Sequence, residues 1–98
     1  MVHIVWEFRI RPEQQQTFEQ YYGGDGHWVK LFQHSSAFVA TSCARDVEDP
    51  LRYLVTDMWN SLEAYQDFKQ AYRIEYEQMD KICEAFTVEE KYWGTFQA

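Results

Sequence analysis

Glycine, proline and cysteine are scarce in this chain: four, two and two among 98 residues. So little glycine and proline leaves no low-complexity stretch and no flexible linker. Cys43 and Cys83 fall on separate predicted elements. Neither has a Cys or His at ligand spacing, which argues against a paired-thiolate metal site. They read as two reduced thiols, the usual state in a cytoplasmic protein. Positive charge is also short, with 9 Lys and Arg against 16 Asp and Glu and a formal net charge of −7. That balance excludes nucleic acid, whose phosphates need clustered cations, and an anionic membrane surface. Apolar runs stop after a few residues, so no segment is expected to span a bilayer. Met1-Val2-His3-Ile4-Val5 lacks the charged leader and cleavage site of a secretory signal. Histidine is confined to His3, His27 and His34. No Ser-His-Asp or Cys-His set, glycine-rich phosphate loop or histidine-carboxylate metal spacing occurs. A metal or other cofactor is not expected.

Aromatic residues are plentiful, at 18% of the chain. Each ring can bury about 150–250 Å². A chain of this length makes one domain, here residues 1–98, and buries only about 60–65% of its unfolded surface. The aromatic surplus therefore points to a core completed by a partner subunit, a cavity, or both.

Residues 2–11 alternate, with Val2, Ile4, Trp6, Phe8 and Ile10 on one face and His3, Val5, Glu7 and Arg9 on the other, which predicts a strand. Pro12 stops it and suits a first helical position. Residues 12–22 read as a helix, which Gly23-Gly24 ends in a left-handed conformation. Asp25 is placed to cap a short helix carrying Trp28, Leu31 and Phe32 at i, i+3, i+4. Residues 37–46 and 51–59 form a hairpin around the turn Val47-Glu48-Asp49-Pro50. Asn60 or Ser61 caps the next helix, with Glu63 at capping-box distance from Asn60. Its stripe runs Leu62, Tyr65, Phe68, Tyr72, Tyr76, Met79, Ile82 or Cys83, and Phe86. That is long enough to predict a break near residues 72–74. Residues 87–96 are the last strand. The order β-α-β-β-α-β is the ferredoxin-like α+β plan, a four-stranded antiparallel sheet with its helices on one face. Val5, Leu54, Thr56 and Met58 would then lie on the uncovered face, which is apolar enough to predict a homodimer packed sheet to sheet.

Several side chains at this junction of sheet and helices carry usable chemistry. Asp57, two residues before Trp59, shares its helix-covered face. Desolvation there would raise its pKa and suit a general base; the alternative is a carboxylate satisfied by a structural hydrogen bond. His27 can move a proton near neutral pH if it reaches a pocket mouth, or else it is an exposed loop histidine. Tyr65, Tyr72 and Tyr76 can polarise a carbonyl, or pack with their hydroxyls at a rim. Trp59 can stack on a planar ligand or simply join sheet to helix. Trp6 and Phe8 can line a pocket or belong to the core.

With Arg11-Pro12-Glu13 after the first strand and Asp57-Met58-Trp59-Asn60-Ser61 opening the second long helix, the chain resembles the antibiotic biosynthesis monooxygenase-like family. These are small dimeric α+β barrels. The resemblance extends to Gly26-His27-Trp28 with Leu31-Phe32, to Arg45-Asp46, Pro50 and Arg52-Tyr53 in the hairpin, and to Glu75-Tyr76. It implies a pocket between sheet and helices. In the oxygenase branch it implies oxidation of polyketide-type phenols without metal or flavin. Trp59 and Tyr65 match that branch's pocket tryptophan and tyrosine. Val55 stands where the branch has an asparagine, and no histidine follows His34 to supply its helix histidine. The haem-degrading branch shares the tryptophan, but its strand asparagine falls near Trp6 and its axial helix histidine has no counterpart. The resemblance thus implies a cofactor-independent monooxygenase-like protein acting on a small planar aromatic or quinol. The expected catalytic residues are Asp57, His27 and Tyr65, and the expected pocket wall is Trp59, Trp6, Phe8, Val55 and Tyr72. The competing expectation is a non-catalytic dimeric module that binds a hydrophobic small molecule.

Overall fold

A computed structural model describes all residues, Met1–Ala98. Strand β1 (Val2–Ile10) leads through a 3-10 turn (Pro12–Gln14) into α1 (Gln15–Tyr22) and α2 (His27–Phe32). The hairpin β2 (Phe38–Arg45) and β3 (Arg52–Trp59) follows. Two helices, α3 (Leu62–Ala71) and α4 (Arg73–Cys83), then lead to β4 (Thr87–Gln97). The sheet order is β2-β3-β1-β4 and every pair is antiparallel. This is the ferredoxin-like α+β arrangement expected from the element order. No helix is long and apolar enough to cross a membrane.

The period-2 pattern of β1 is realised as burial: Val2, Ile4, Phe8 and Ile10 are buried. On β3 the buried set is Tyr53, Val55, Asp57 and Trp59. The register pairs Phe8 with Tyr53, Trp6 with Val55 and Ile4 with Asp57, so both sets face the helices. Aromatic stacking then ties α1 to the sheet. Phe18 lies 4.4 Å from Tyr22, 5.4 Å from Phe8 and 4.8 Å from Tyr53, between ring centroids.

The helix ends differ from expectation at α1 and α2, while α3 takes one of its two expected caps. Gly23 is extended, at φ −67 and ψ 169, and its N–H closes α1 on the Glu19 carbonyl. Gly26, not Asp25, is the N-cap of α2. A Cβ at Gly26 would sit 2.7 Å from the carbonyl oxygens of Gln20 and Tyr21, so the chain needs glycine there for close approach rather than for a left-handed turn. Ser61 caps α3 by accepting from the Ala64 N–H, and Asn60 makes no capping box. The break between α3 and α4 falls at Tyr72, with φ −112 and ψ 33.

In β4 the register to β1 slips between Val5 and Trp6: Gly94 pairs with Val5, yet Tyr92 pairs with Trp6. Trp93 is the extra residue of this bulge. Gly94 has a φ of +144, which L side chains avoid. The bulge sends Tyr92 to the helix side, 4.9 Å from Trp6, and leaves Trp93 donating to Glu7 on the open face.

Candidate active site

The helix-covered face of the sheet does not close completely. A cavity of about 200 Å³ lies between the sheet and the helices. Trp6 and Phe8 come from β1, Val55 and Asp57 from β3, and Thr41 from β2. Tyr22, Trp28, Phe32 and Tyr76 come from the helices, and the exposed Lys69, Asp80 and Glu90 form its mouth. An apolar cavity of about 150 Å³ can hold benzene, so this volume admits one ring with a short substituent.

Asp57 is the polar centre of this cavity. It is 8% exposed, and one carboxylate oxygen accepts a 2.7 Å hydrogen bond from the Thr41 hydroxyl. The hairpin register causes this contact, because Thr41 and Asp57 are direct partners across β2 and β3. The other carboxylate oxygen has no hydrogen-bond partner in the protein, and no cation stands within ion-pair distance. Burial therefore wins over the Thr41 bond and pushes the Asp57 pKa up to about 6. A carboxylate so placed is a base tuned close to neutrality.

The structure brings Asp57, Trp6, Phe8 and Val55 together around the cavity and leaves four other candidates off its walls. Trp59 is 0% exposed and packs with its ring centroid 5.3–5.4 Å from those of Phe32, Phe38, Tyr65 and Phe68. It is a core residue that backs the cavity wall through Phe32. Tyr65 faces a shallower groove with Ile4, Leu62 and Tyr92. Its hydroxyl pairs at 3.1 Å with that of Tyr76, which does line the cavity. Tyr72 sits at the helix break, stacked between Phe68 and His34. His27 is exposed at the start of α2 against Tyr21, and its neighbour Trp28 turns into the cavity instead. Adjacent helical residues point about 100° apart, and here the turn leaves His27 outside while Trp28 faces inward.

Sequence reasoning missed Thr41, Lys69, Asp80 and Glu90. Thr41 was findable by pairing the hairpin from its turn outward. Asp80 lies four residues after Tyr76 on the same helix face. Glu90 needed the β4 register, and the bulge hides that register from simple alternation. Burial raises the pKa of Glu90, helped by Asp80, and that of Asp80, helped by Glu84. No group of three His, Cys, Asp or Glu side chains is gathered to hold a metal ion.

Comparison with known proteins gives the same picture of the fold. No curated protein sequence matches significantly. Among solved structures, a point variant of SnoaB, a cofactor-independent oxygenase from Streptomyces nogalater, superimposes with a TM-score of 0.81 at 16% identity, covering 99% of this chain and 91% of its own. A candidate antibiotic biosynthesis monooxygenase from Deinococcus radiodurans gives 0.78 at 15% identity, covering 100% and 92%. A conserved protein from Methanosarcina mazei Go1 gives 0.73 at 10% identity, covering 98% and 90%. At these identities the likeness is one of fold. The model of the family named antibiotic biosynthesis monooxygenase matches residues 1–85, so the chain belongs to that family.

Proposed function

We propose that this protein is a cofactor-independent monooxygenase that oxidises a small planar aromatic or quinol in the cavity between sheet and helices. The observation that carries this reading is a buried carboxylate, Asp57, with one unpartnered oxygen in a cavity whose apolar walls include Trp6, Phe8, Trp28, Phe32 and Val55. Membership of the family and the likeness to an oxygenase described as cofactor-independent support it.

Asp57 accepts a proton from a ring hydroxyl or a ring-activated carbon. The anion then gives an electron to dioxygen, and the radical pair recombines to a peroxide. Loss of water leaves a carbonyl. One oxygen atom enters the product, the other leaves as water, and the substrate supplies the electrons. The protein contributes orientation, a dry cavity and the base. Trp59 acts as a positioning residue by holding Phe32, and Tyr65 does so by fixing the Tyr76 hydroxyl. Neither His27 nor Tyr72 has a role in this scheme.

Oxygen uptake with a single-ring quinol, in chelator-treated protein, tests the reading. Asp57→Asn should lose about 100-fold or more in kcat, the scale of a missing general base. Equal uptake by wild type and Asp57→Asn would remove the base. The absence of any histidine after His34 favours a second reading, a module that binds an aromatic small molecule without turning it over. Tight binding with no oxygen uptake by either protein would select it.

We also propose that a second copy covers the open sheet face. Leu54, Trp93 and Phe96 are 40%, 51% and 51% exposed there, and Leu54 and Trp93 line a concavity with Val5 and Ala44. Arg52 crosses this face, bound at 2.9 Å to Glu7 and at 2.9 Å to Asp46.

A further inference from the structure

Proton abstraction needs one carboxylate, yet the cavity presents three, Asp57 inside and Asp80 and Glu90 at the mouth, against the single ammonium of Lys69. The Lys69 ammonium makes no ion pair with them. It lies over the rings of Tyr76, at 4.9 Å, and Tyr65, at 5.4 Å. This rim thus already seats a cation on an aromatic face, an arrangement that is attractive in itself. One polar group on the cavity wall lacks a partner: the second oxygen of Asp57, a residue 8% exposed. A buried acceptor left open in a cavity calls for a ligand that offers a donor.

We infer that the ligand is an electron-rich, single-ring aromatic bearing a protonated amine, bound with its ring between the aromatic walls and its ammonium at the mouth carboxylates Asp80 and Glu90. This inference rests on the reading of the cavity as the substrate site. A hydroxyl on the ring would donate to the open oxygen of Asp57, and the ammonium would donate to the mouth carboxylates. Aromatic acids of the same shape are excluded by repulsion at the mouth, since like charges brought together in a site are strongly unfavourable. The volume sets the ring count and the charge of the lining sets the sign.

Three probes share one phenol ring and differ in charge: tyramine is a cation, p-cresol is neutral and 4-hydroxyphenylacetate is an anion. Isothermal titration of the wild-type protein at low ionic strength should rank them in that order. Tyramine should bind at least about tenfold tighter than 4-hydroxyphenylacetate. Added salt should narrow the gap, because the mouth is open to solvent. The double variant Asp80→Asn, Glu90→Gln changes only exposed side chains and should fold normally by circular dichroism, yet lose most of the preference. Lys69→Met should widen it. Equal or tighter binding of p-cresol or 4-hydroxyphenylacetate overturns the inference and leaves the cavity as a substrate site. An undiminished preference in the double variant overturns the assignment to the mouth carboxylates. If none of the three binds, the substrate-site reading falls and the inference falls with it.

Discussion

Asp57 has one hydrogen bond, from Thr41, and almost no water. Its pKa of about 6 lies above the unfolded value of 3.8, so between these limits the folded chain binds more protons than the unfolded one. Stability therefore falls as pH rises through the window from about 4 to about 6. The roughly two-unit shift corresponds to about 3 kcal/mol, fully lost above the folded pKa. Asp57→Asn should remove this slope: chemical denaturation at pH 7.5 should find the variant more stable than wild type, and at pH 4 the gap should close. A parallel pH dependence in both proteins would place the shift elsewhere. Trp59 makes a contrasting case. It is packed on four aromatic rings, and Trp59→Ala should cost about 3–5 kcal/mol by the same assay. The sequence pattern put both residues on one strand face correctly, because alternation is a local rule. It could not say which of the two meets the cavity, because that depends on how far α2 and α3 approach the sheet.

At the scale of elements, strands and helices were legible because their periodicities are strong and their ends are marked by Pro12, the Val47–Pro50 turn and Ser61. The break at Tyr72 was legible from the length of the stripe. Helix caps were less so, since Gly23, Gly24, Asp25 and Gly26 offer four candidates in a row and only packing chooses among them. The β4 bulge was not legible, because it is defined by pairing to β1 at a distance of some ninety residues in sequence. It has functional weight, since it sets which β4 side chains reach the helix side. Gly94→Ala imposes a φ of +144 on a residue with a Cβ and brings that atom to 3.3 Å from the Phe96 ring. We expect a loss of about 1–3 kcal/mol and a shift of Glu90 and Tyr92 out of register, read by thermal unfolding and by amide exchange along β4. Wild-type stability and exchange in this variant would mean that the bulge is not held by Gly94.

At the scale of the molecule, helices cover one sheet face and leave the other to Leu54, Met58, Trp93 and Phe96. A stable protein–protein interface buries about 800 Å² per partner, which a four-stranded sheet face of this kind can supply. Light scattering should find a dimer at micromolar concentration, and Leu54→Glu should shift it toward monomer without unfolding it. A wild-type monomer at that concentration would contradict the pairing. The two faces also divide the four tryptophans into reporters. Trp6 and Trp28 line the cavity, Trp59 lies in the core behind Phe32, and Trp93 is on the open face. The most direct test is therefore an NMR titration of the four indole N–H signals with tyramine and with p-cresol. The account predicts that Trp6 and Trp28 shift most, Trp59 less, and Trp93 not at all. Shifts confined to Trp93, or none in any of the four, would contradict it.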